Sequence, residues 1–384
     1  QWLSPLHGIP LTVKDVLHVA GVPTRAGSAG FRVDPTVDAA AVERLRAAGG
    51  VFVAKVATHE LALGVTTPQA AHPLDAARIP GGSSGGSAIA VATGMGFGSI
   101  GTDTRASIRV PAALCGVVGF KPTYGLVPTD GVVTLSWTMD HVGPLASTVA
   151  DASAIADALI GAEAVSLTPP PTDPPIGARV GVSAAAMVGA SAEVAQVAGT
   201  ALKRLEGAGV DLVETDRPSC HDFEVAGAAG LVISRCEALA FHRSVETDLD
   251  QLWPETADQL RAAQSIEASE YVNALRIRAQ FGRQMLRGLA ESGVCALALP
   301  TTLVTAPRRS EAERYLTLLA RNVIPWSLLG WPAVSVPCGS DSSGLPVGLQ
   351  IVGPPFQDRL ALQLALVAER CAGGVLKLQS DAPR

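Results

Sequence analysis

Short apolar runs alternate with amphipathic stretches in the first part of the chain. Residues 9–13 and 51–56 are apolar runs of strand length, and residues 38–48 between them repeat apolar positions at helical spacing. Gly49 and Gly50 follow at once, where a helix commonly ends. This strand–helix–strand order predicts an α/β fold whose central sheet is mixed, mostly parallel and covered by helices on both faces.

The same two patterns continue along the rest of the chain. Pro254 is expected to break a long helical stretch, because proline cannot continue a helix. The predicted elements are a helix at 148–159, a strand at 179–183, a helix at 192–205, mostly helix over 222–289, and strands at 295–300, 333–337 and 347–352.

A proline-rich stretch at 168–175, TPPPTDPP, predicts a stiff linker that cannot join a sheet. Strand patterns occur on both sides of it, so we expect one interwoven domain over 1–384. Its core is expected to comprise 1–165 and 295–384, and the residues from about 176 to 294 are expected to form a helical insertion.

Composition and charge exclude several classes of protein. The 384 residues are 48% hydrophobic and 17% charged, which is not the composition of a disordered chain. A net charge of -6 argues against nucleic acid as a partner, since a nucleic-acid binder is expected to carry a basic surface. No signal peptide and no run of 18 apolar residues is present, so no membrane is expected as a partner.

The cysteines indicate neither a metal site nor a disulfide framework. They are widely scattered, with no CxxC pair and no Cys/His cluster, so no metal is expected. We expect buried, reduced thiols in a cytoplasmic protein. The six are Cys115, Cys220, Cys236, Cys295, Cys338 and Cys371.

The densest candidate for chemistry is the glycine- and serine-rich stretch at 80–87, PGGSSGGS, followed by GTDTRASIR at 101–109. A phosphate-binding P-loop would need lysine where Ser87 follows Gly86. A G-x-S-x-G nucleophile elbow would need a strand before it and a histidine well downstream, and His242 is the last histidine. The interpretation that remains is a structured loop whose backbone approaches a ligand closely, which we prefer to a flexible linker.

Without a histidine, a serine nucleophile needs another base, and lysine is the usual substitute. A lysine accepts a proton only when it is neutral, so its pKa of about 10.4 must fall by about three units, at a cost of about 4 kcal/mol supplied by burial. Lys14 ends an apolar strand, while Lys55 and Lys121 lie in similar apolar surroundings. The residues alone leave all three lysines as candidates.

Four sequence blocks resemble the amidase signature family of hydrolases. They occur in order between Leu6 and Phe356, and the similarity is weak only across the insertion. The resemblance implies a single α/β domain, a metal-free and cofactor-free enzyme, and a substrate pocket shaped largely by the insertion. The blocks are LHGIPLTVKD, RIPGGSSGGSAIAVATG, GTDTRASIRVPAALCGVVGFKPTYGLVP and GWPAVSVPCG with GLPVGLQIVGPPF.

The resemblance also implies a Ser–cisSer–Lys triad at three positions of this sequence. Lys14 corresponds to the base, Ser83 to the bridging serine after a cis peptide bond, and Ser107 to the nucleophile. Neutral Lys14 would take a proton from Ser83, which takes one from Ser107, and Ser107 would then form an acyl-enzyme that water hydrolyses.

The family's oxyanion hole maps onto the backbone N–H groups of Thr104, Arg105, Ala106 and Ser107, in a turn where this chain departs from the family pattern. Many members have two glycines where this chain has Arg105 and Ala106, which is tolerable if φ stays negative. Two hypotheses for Arg105 stay open. It either binds a carboxylate-bearing substrate or turns away and pairs with a carboxylate such as Asp103.

Three further positions match residues that brace the active-site loops in the family, namely Ser84, Asp103 and Arg109. Cys115 lies in a matching block, but on an apolar stretch, and is expected to be a core residue. Nothing in the sequence corresponds to the family's N-terminal helical segment, so we expect a truncated N-terminus.

The sequence therefore predicts a cytoplasmic amidohydrolase that cleaves the C–N bond of a small-molecule amide and needs no cofactor. One alternative is the glutamine-hydrolysing A-subunit of a tRNA-dependent amidotransferase, which would need a companion protein. A second alternative is a non-catalytic scaffold protein. A homo-oligomer is compatible with the sequence, and the chain does not reveal which amide is the substrate.

Overall fold

The structure is a computed structural model that describes residues 2–161, 166–167 and 172–373. Residues 168–171 of the predicted linker at 168–175 lie outside the described residues.

A single sheet runs through the described part of the chain and contains ten strands. Its strand order is β2-β1-β3-β5-β4-β9-β10-β8-β6-β7. The strands are β1 (Pro10–Lys14), β2 (Val51–Val56), β3 (Gly98–Asp103), β4 (Val118–Lys121), β5 (His141–Ala146), β6 (Arg179–Val182), β7 (Asp211–Glu214), β8 (Ala296–Pro300), β9 (Ala333–Ser340) and β10 (Pro346–Val352).

The sheet is mixed, as predicted, and its two ends differ from its centre. Strands β2, β1 and β3 pair in parallel at one end, as do β8, β6 and β7 at the other. The pairings between β3 and β8 are all antiparallel, so the described sheet has four parallel and five antiparallel pairings and is not mostly parallel. The first strand–helix–strand unit, β1-α1-β2, correctly predicted parallel pairing at its own end of the sheet, but this pairing does not extend to the centre.

Eleven α-helices accompany the sheet in the described residues, with short 3₁₀ helices at Glu60–Ala62, Ala184–Met187, Leu249–Gln251 and Arg309–Tyr315. The α-helices are α1 (Ala40–Ala47), α2 (Gly85–Ala92), α3 (Arg109–Cys115), α4 (Val149–Ile160), α5 (Ala192–Gly207), α6 (Cys220–Ser244), α7 (Pro254–Ala263), α8 (Ala268–Ser292), α9 (Leu316–Ala320), α10 (Ile324–Leu328) and α11 (Asp358–Cys371).

Helices cover both faces of the central strands, as predicted. Every residue of β3, β5 and β10 is buried, and since neighbouring residues of a strand face opposite sides, both faces must be covered. Helices α1, α4, α11 and α5 contact one another in that order, while α2 and α3 contact each other and pack against β3 and β4 respectively.

The strongest patterns located their elements well. The side chain of Thr148 accepts a hydrogen bond from the N–H of Asp151 at the start of α4, which is an ordinary N-cap. Pro254 is the first residue of α7, where its missing N–H is not needed, so the predicted break is confirmed. The elements between residues 85 and 121, namely α2, β3, α3 and β4, were not predicted, because the many small residues there give no clear apolar periodicity.

Residues from 176 to 294 add strands as well as helices to the fold. Strand β6 joins β8 in the common sheet, and β7 extends it to the edge. Helix α6 packs against α7, α8 and α10, and its Phe223 shares a hydrophobic cluster with Leu297 and Leu299 of β8.

One described helix, α6, is long and apolar enough to cross a membrane by length and composition. It has 25 residues and a hydropathy of 1.2 in its most apolar window. Half of that window is buried inside the protein, and the core helix of a soluble protein passes the same test, so α6 is only a weak indication of a membrane span.

Candidate active site

Lys14 is the last residue of β1, and its side chain is completely buried. Its Nζ donates hydrogen bonds to Ser83 Oγ and to Thr102 Oγ1, both at 2.7 Å. Thr102 lies on β3, the parallel neighbour of β1, while Ser83 lies in the loop before α2. The sheet therefore holds the amine against a serine that is 69 residues away in sequence.

Burial changes the chemistry of the Lys14 amine. Removal from water lowers its pKa from 10.5 to about 7, although the negative charges of Asp103 and Asp140 act in the opposite direction. About half of such amines are neutral at pH 7, and a neutral amine can accept a proton. The fall is of the size that a lysine base requires.

The other two candidate lysines are engaged elsewhere. Lys55 forms an ion pair with Asp15 at 2.7 Å, which also places the Asp15 carboxylate away from Lys14. Lys121 is buried and donates to the backbone oxygen of Pro122 at 3.1 Å. Of the three candidate lysines, only Lys14 forms a hydrogen bond to a serine in the described residues.

Ser83 is buried in a tightly enclosed backbone segment. The Gly82–Ser83 peptide bond is cis, as the family resemblance implied. The carbonyl oxygen of Ser83 accepts hydrogen bonds from His59 N at 3.1 Å and Thr67 Oγ1 at 3.2 Å. A β-carbon on Gly82 would lie 2.8 Å from Thr66 N, so the close approach of the two segments requires glycine there.

Ser107 lies in the turn between β3 and α3 and is 6% exposed. Its carbonyl oxygen accepts a hydrogen bond from Ser84 N at 3.2 Å, which ties the turn to the loop of Ser83. No hydrogen bond joins its Oγ to Ser83 Oγ in the described residues. The structure thus joins Lys14 to Ser83 and leaves the Ser107 hydroxyl on the wall of a cavity.

The turn itself is held by a buried ion pair. Arg109 Nε and Nη2 donate to the two Asp103 carboxylate oxygens at 3.0 and 3.1 Å, and both side chains are fully buried. Asp103 also accepts hydrogen bonds from Ile108 N and Ser327 Oγ. Burial alone would raise the pKa of Asp103, but the charge and hydrogen bonds of Arg109 hold it well below its usual range.

Two more contacts connect this turn to its surroundings. Ser84 Oγ donates to the carbonyl oxygen of Thr102 at 3.1 Å, next to the Lys14 contact. Arg109 Nη1 donates to Gln350 Oε1 on β10 at 2.6 Å. Ser84, Asp103 and Arg109 therefore lie where their hydrogen bonds can fix the two loops.

Sequence reasoning missed Thr102 and Asp140. Thr104 Oγ1 donates to Asp140 Oδ1 at 2.5 Å, and the other Asp140 oxygen accepts the N–H groups of Leu135 and Ser136, each at 3.0 Å. Burial raises the pKa of Asp140 to about 6, although these hydrogen bonds oppose the shift. Thr102 could have been suspected from its place in the GTDTRAS block, whereas nothing in the sequence singles out Asp140.

The departure from two glycines leaves the turn unstrained. Neither Arg105 nor Ala106 is among the residues with positive φ, so their β-carbons fit an ordinary backbone. Ala106 is fully buried and packs in the core, and Arg105 lies on the cavity wall.

The cavity beside Ser107 has a volume of about 810 Å³. Leu63, Leu135 and Phe223 are among its apolar lining residues, and the charged side chains on its wall include Arg105 and Arg235. Its size and mostly apolar lining are typical of a site for a small organic molecule.

No group of three or more His, Cys, Asp or Glu residues in the described chain is arranged to hold a metal ion. All six cysteines are free thiols, but only Cys115 and Cys338 are buried, so the expectation of buried thiols is wrong for the other four. Cys115 is buried, and burial raises the pKa of its thiol, so it is a core residue as predicted. The Nδ1 atom of His141 faces the backbone oxygen of Asp103 at 3.0 Å, so this histidine is engaged away from Lys14 and Ser83.

Comparisons with known proteins cover almost the whole chain. The sequence model of the family described as Amidase matches residues 1–362. The A-subunit of the glutamyl-tRNA(Gln) amidotransferase of Chloroflexus aurantiacus is 36% identical over 412 residues, which cover 96% of this chain and 83% of that protein.

Solved structures agree with this similarity. One described as an amidase superposes with a TM-score of 0.86 at 35% identity, covering 96% of this chain and 86% of its own. A peptide amidase in complex with the competitive inhibitor chymostatin superposes with a TM-score of 0.83 at 28% identity, covering 97% and 85%.

Proposed function

The chain belongs to the amidase family, and we propose that it hydrolyses the C–N bond of an amide through an acyl-enzyme on Ser107. The observation that carries the proposal is the buried hydrogen bond between Lys14 and Ser83, made by an amine whose pKa is lowered to about 7. Ser107 lies on the adjoining cavity, where an amide carbonyl can reach it.

The proposed reaction starts with neutral Lys14. It takes the hydroxyl proton of Ser83 while Ser83 takes that of Ser107, and the Ser107 oxygen forms a bond to the carbonyl carbon. The C–N bond breaks as the proton returns along the same path to the leaving nitrogen. Water then attacks the ester with the same help, which yields a carboxylic acid and restores Ser107.

We propose that the backbone N–H groups of the turn from Thr104 to Ser107 bind the oxyanion. The N–H groups of Arg105, Ala106 and Ser107 have no acceptor among the described residues, so they are available to a ligand. The anchors of the turn, Arg109 on Asp103 and Asp140 on Thr104, support a fixed geometry. A preorganised donor of this kind contributes about 3–4 kcal/mol in comparable enzymes.

Residues 176–294 are proposed to shape the substrate pocket. Their contribution to the cavity wall supports this, since Phe223, Glu224, Arg235, Glu255 and Gln259 all line it. We also propose that the protein works in the cytoplasm, in keeping with its free thiols, and uses no cofactor.

A second candidate function is favoured by the curated relatives. The Chloroflexus aurantiacus protein is named as the A-subunit of a glutamyl-tRNA(Gln) amidotransferase and is 36% identical. On this alternative the same residues would free ammonia from glutamine for a partner enzyme that acts on charged tRNA. The structural relatives described as an amidase and a peptide amidase support hydrolysis of an amide as the main proposal.

Covalent labelling tests the shared chemistry. A fluorophosphonate should form an adduct on Ser107, located by peptide mass spectrometry, and the adduct should be lost in Ser107→Ala and in Lys14→Ala. Ser343→Ala and Lys203→Ala are matched controls on exposed positions and should label as the parent does. No adduct on Ser107, or an adduct unaffected by Lys14→Ala, would overturn the proposal in favour of a scaffold protein.

Substrate turnover separates the two candidates. The purified chain is incubated alone with simple aliphatic and aryl amides and with L-glutamine, and released ammonia or amine is measured. Turnover of simple amides supports a free-standing amidase. Turnover confined to L-glutamine supports the amidotransferase alternative.

A further inference from the structure

Two arginines on the cavity wall beside Ser107 form no ion pair with any carboxylate in the parts of the chain that the structure describes. The Nε atoms of Arg105 and Arg235 are shielded from solvent and make no hydrogen bond in the described part of the protein. The hydrogen bond of Arg235 Nη2 is a long one, at 3.5 Å to Gln259 Oε1. A shielded Nε–H group without an acceptor is costly, so these two groups indicate that an acceptor arrives from outside.

The obvious internal partner for Arg105 is not available. Asp103 lies two residues away, but Arg109 occupies both of its oxygens in a fully buried ion pair. The hypothesis that Arg105 pairs with Asp103 is therefore wrong for this structure.

The remaining charges of the cavity do not neutralise the pair either. Arg321 donates to the carbonyl oxygen of Ala185 and lies over the Phe223 ring, 4.3 Å from its centroid. The Glu224 side chain is 77% exposed and faces His221. Glu255 forms no ion pair within the described ranges of the chain, and burial and the charge of Glu313 both raise its pKa.

Arg105 and Arg235 also repel each other. Burial lowers the pKa of Arg105 to about 10, and the positive charge of Arg235 lowers it further. Two like charges that are close and partly dehydrated destabilise the empty site, and an anion between them would relieve the repulsion. An arginine fork matches a carboxylate, which can accept two parallel N–H bonds.

We propose that Arg105 and Arg235 form a subsite for a carboxylate of the substrate, so that the enzyme acts on amides carrying a carboxylate a few bonds from the scissile carbonyl. The proposal rests on the function proposed for Ser107. Arg105 and Ser107 are two residues apart, which limits their Cα separation to about 7 Å and keeps the carboxylate close to the reacting carbon. Apolar walls such as Phe223 and Leu135 would hold the rest of the substrate.

The test compares two substrates of nearly the same shape. Succinic acid mono-4-nitroanilide carries a free carboxylate, and its succinamide counterpart carries a neutral carboxamide at the same place. We expect kcat/KM to be at least tenfold higher for the carboxylate, and this preference should weaken as salt is added.

Variants then locate the preference. Arg105→Gln and Arg235→Gln should each reduce the ratio of the two kcat/KM values at least tenfold, and Arg105→Lys should restore part of it. All three keep a backbone N–H, so the turn is retained. Arg287→Gln removes the same charge from the exposed side of α8, outside the cavity, and should keep the parent ratio.

The outcomes separate this inference from the function on which it rests. Equal kcat/KM values for the two substrates in the parent, or an unchanged ratio in both glutamine variants, would overturn the subsite. Hydrolysis of the neutral anilide would still support the function proposed for Ser107. If neither anilide is cleaved, succinate should still slow fluorophosphonate labelling of Ser107 in the parent and not in the variants. No protection would overturn the subsite, and no labelling at all would overturn both proposals.

Discussion

Replacing Lys14 with methionine tests the physical basis of the site, because methionine keeps the apolar volume and removes the titrating amine. The amine is fully buried, and its pKa falls from 10.5 to about 7. One pKa unit corresponds to about 1.4 kcal/mol, so burial of the charged form costs about 5 kcal/mol. Methionine loses the hydrogen bonds to Ser83 and Thr102, worth about 1 kcal/mol each. The variant should therefore be more stable than the parent by about 3 kcal/mol at pH 7.

The pH dependence of this difference has a definite sign. Below pH 7 the amine is protonated in both the folded and the unfolded chain, and the parent bears the full cost of burying the charge. Between pH 7 and 10.5 the unfolded chain binds a proton that the folded chain does not, so the parent gains free energy of unfolding relative to the variant as pH rises. From pH 7 to 9.5 this relative gain should be about 3 kcal/mol.

Two assays measure the stability difference and the neutral fraction of Lys14. Urea unfolding of the parent, Lys14→Met and the exposed control Lys203→Met, from pH 6 to 9.5, gives the stability difference. The rate constant for fluorophosphonate labelling of Ser107, from pH 5 to 9, reports the neutral fraction of Lys14. It should fall about tenfold per pH unit below pH 7 and stay level above it.

Two results would refute the reasoning. A stability difference that does not change with pH would mean that Lys14 keeps an ordinary pKa when folded. A labelling rate that is level from pH 5 to 9 would mean that Lys14 is not the group whose deprotonation activates Ser107.

Other predictions concern residues around the proposed triad and two of the cysteines. Arg109→Met leaves a buried carboxylate unpaired and should lower the free energy of unfolding by about 3–5 kcal/mol in urea; a loss below about 1 kcal/mol would contradict this. Thr102→Val removes an acceptor that favours charged Lys14 and should move the midpoint of the labelling profile below pH 7; an unmoved midpoint would show that this contact does not tune the amine. Iodoacetamide should modify exposed Cys220 but not buried Cys115 until urea unfolds the chain, as peptide mapping will show.

Local patterns determined much of this protein. Strand β1, helix α1 and strand β2 follow from the opening apolar runs, and Pro254 marks the start of α7, because spacing and proline geometry act within a few residues. The motif blocks fixed the identity of Lys14, Ser83 and Ser107 as candidates and the family to which the chain belongs. They also raised the question of what Arg105 binds.

Tertiary structure decided which of these residues meet. Three lysines were plausible in sequence, and the pairing of β1 with β3 brings Lys14 to Ser83 and Thr102, while Lys55 is held by Asp15. The antiparallel centre of the sheet also had no local signal. In each case the contact joins residues far apart in the chain, and its energy comes from burial and packing that no short stretch contains.

The protonation states and ion pairs of the site also depend on burial between residues that are far apart in the chain. The low pKa of Lys14 and the ion pair that occupies Asp103 arise from complete burial in the assembled fold. Arg235 comes to the cavity wall with Arg105 although 130 residues separate them in the sequence. The sequence alone named the candidate reacting groups, and only the packed sheet and helices determined their protonation, their partners and the place of the two arginines on the cavity wall.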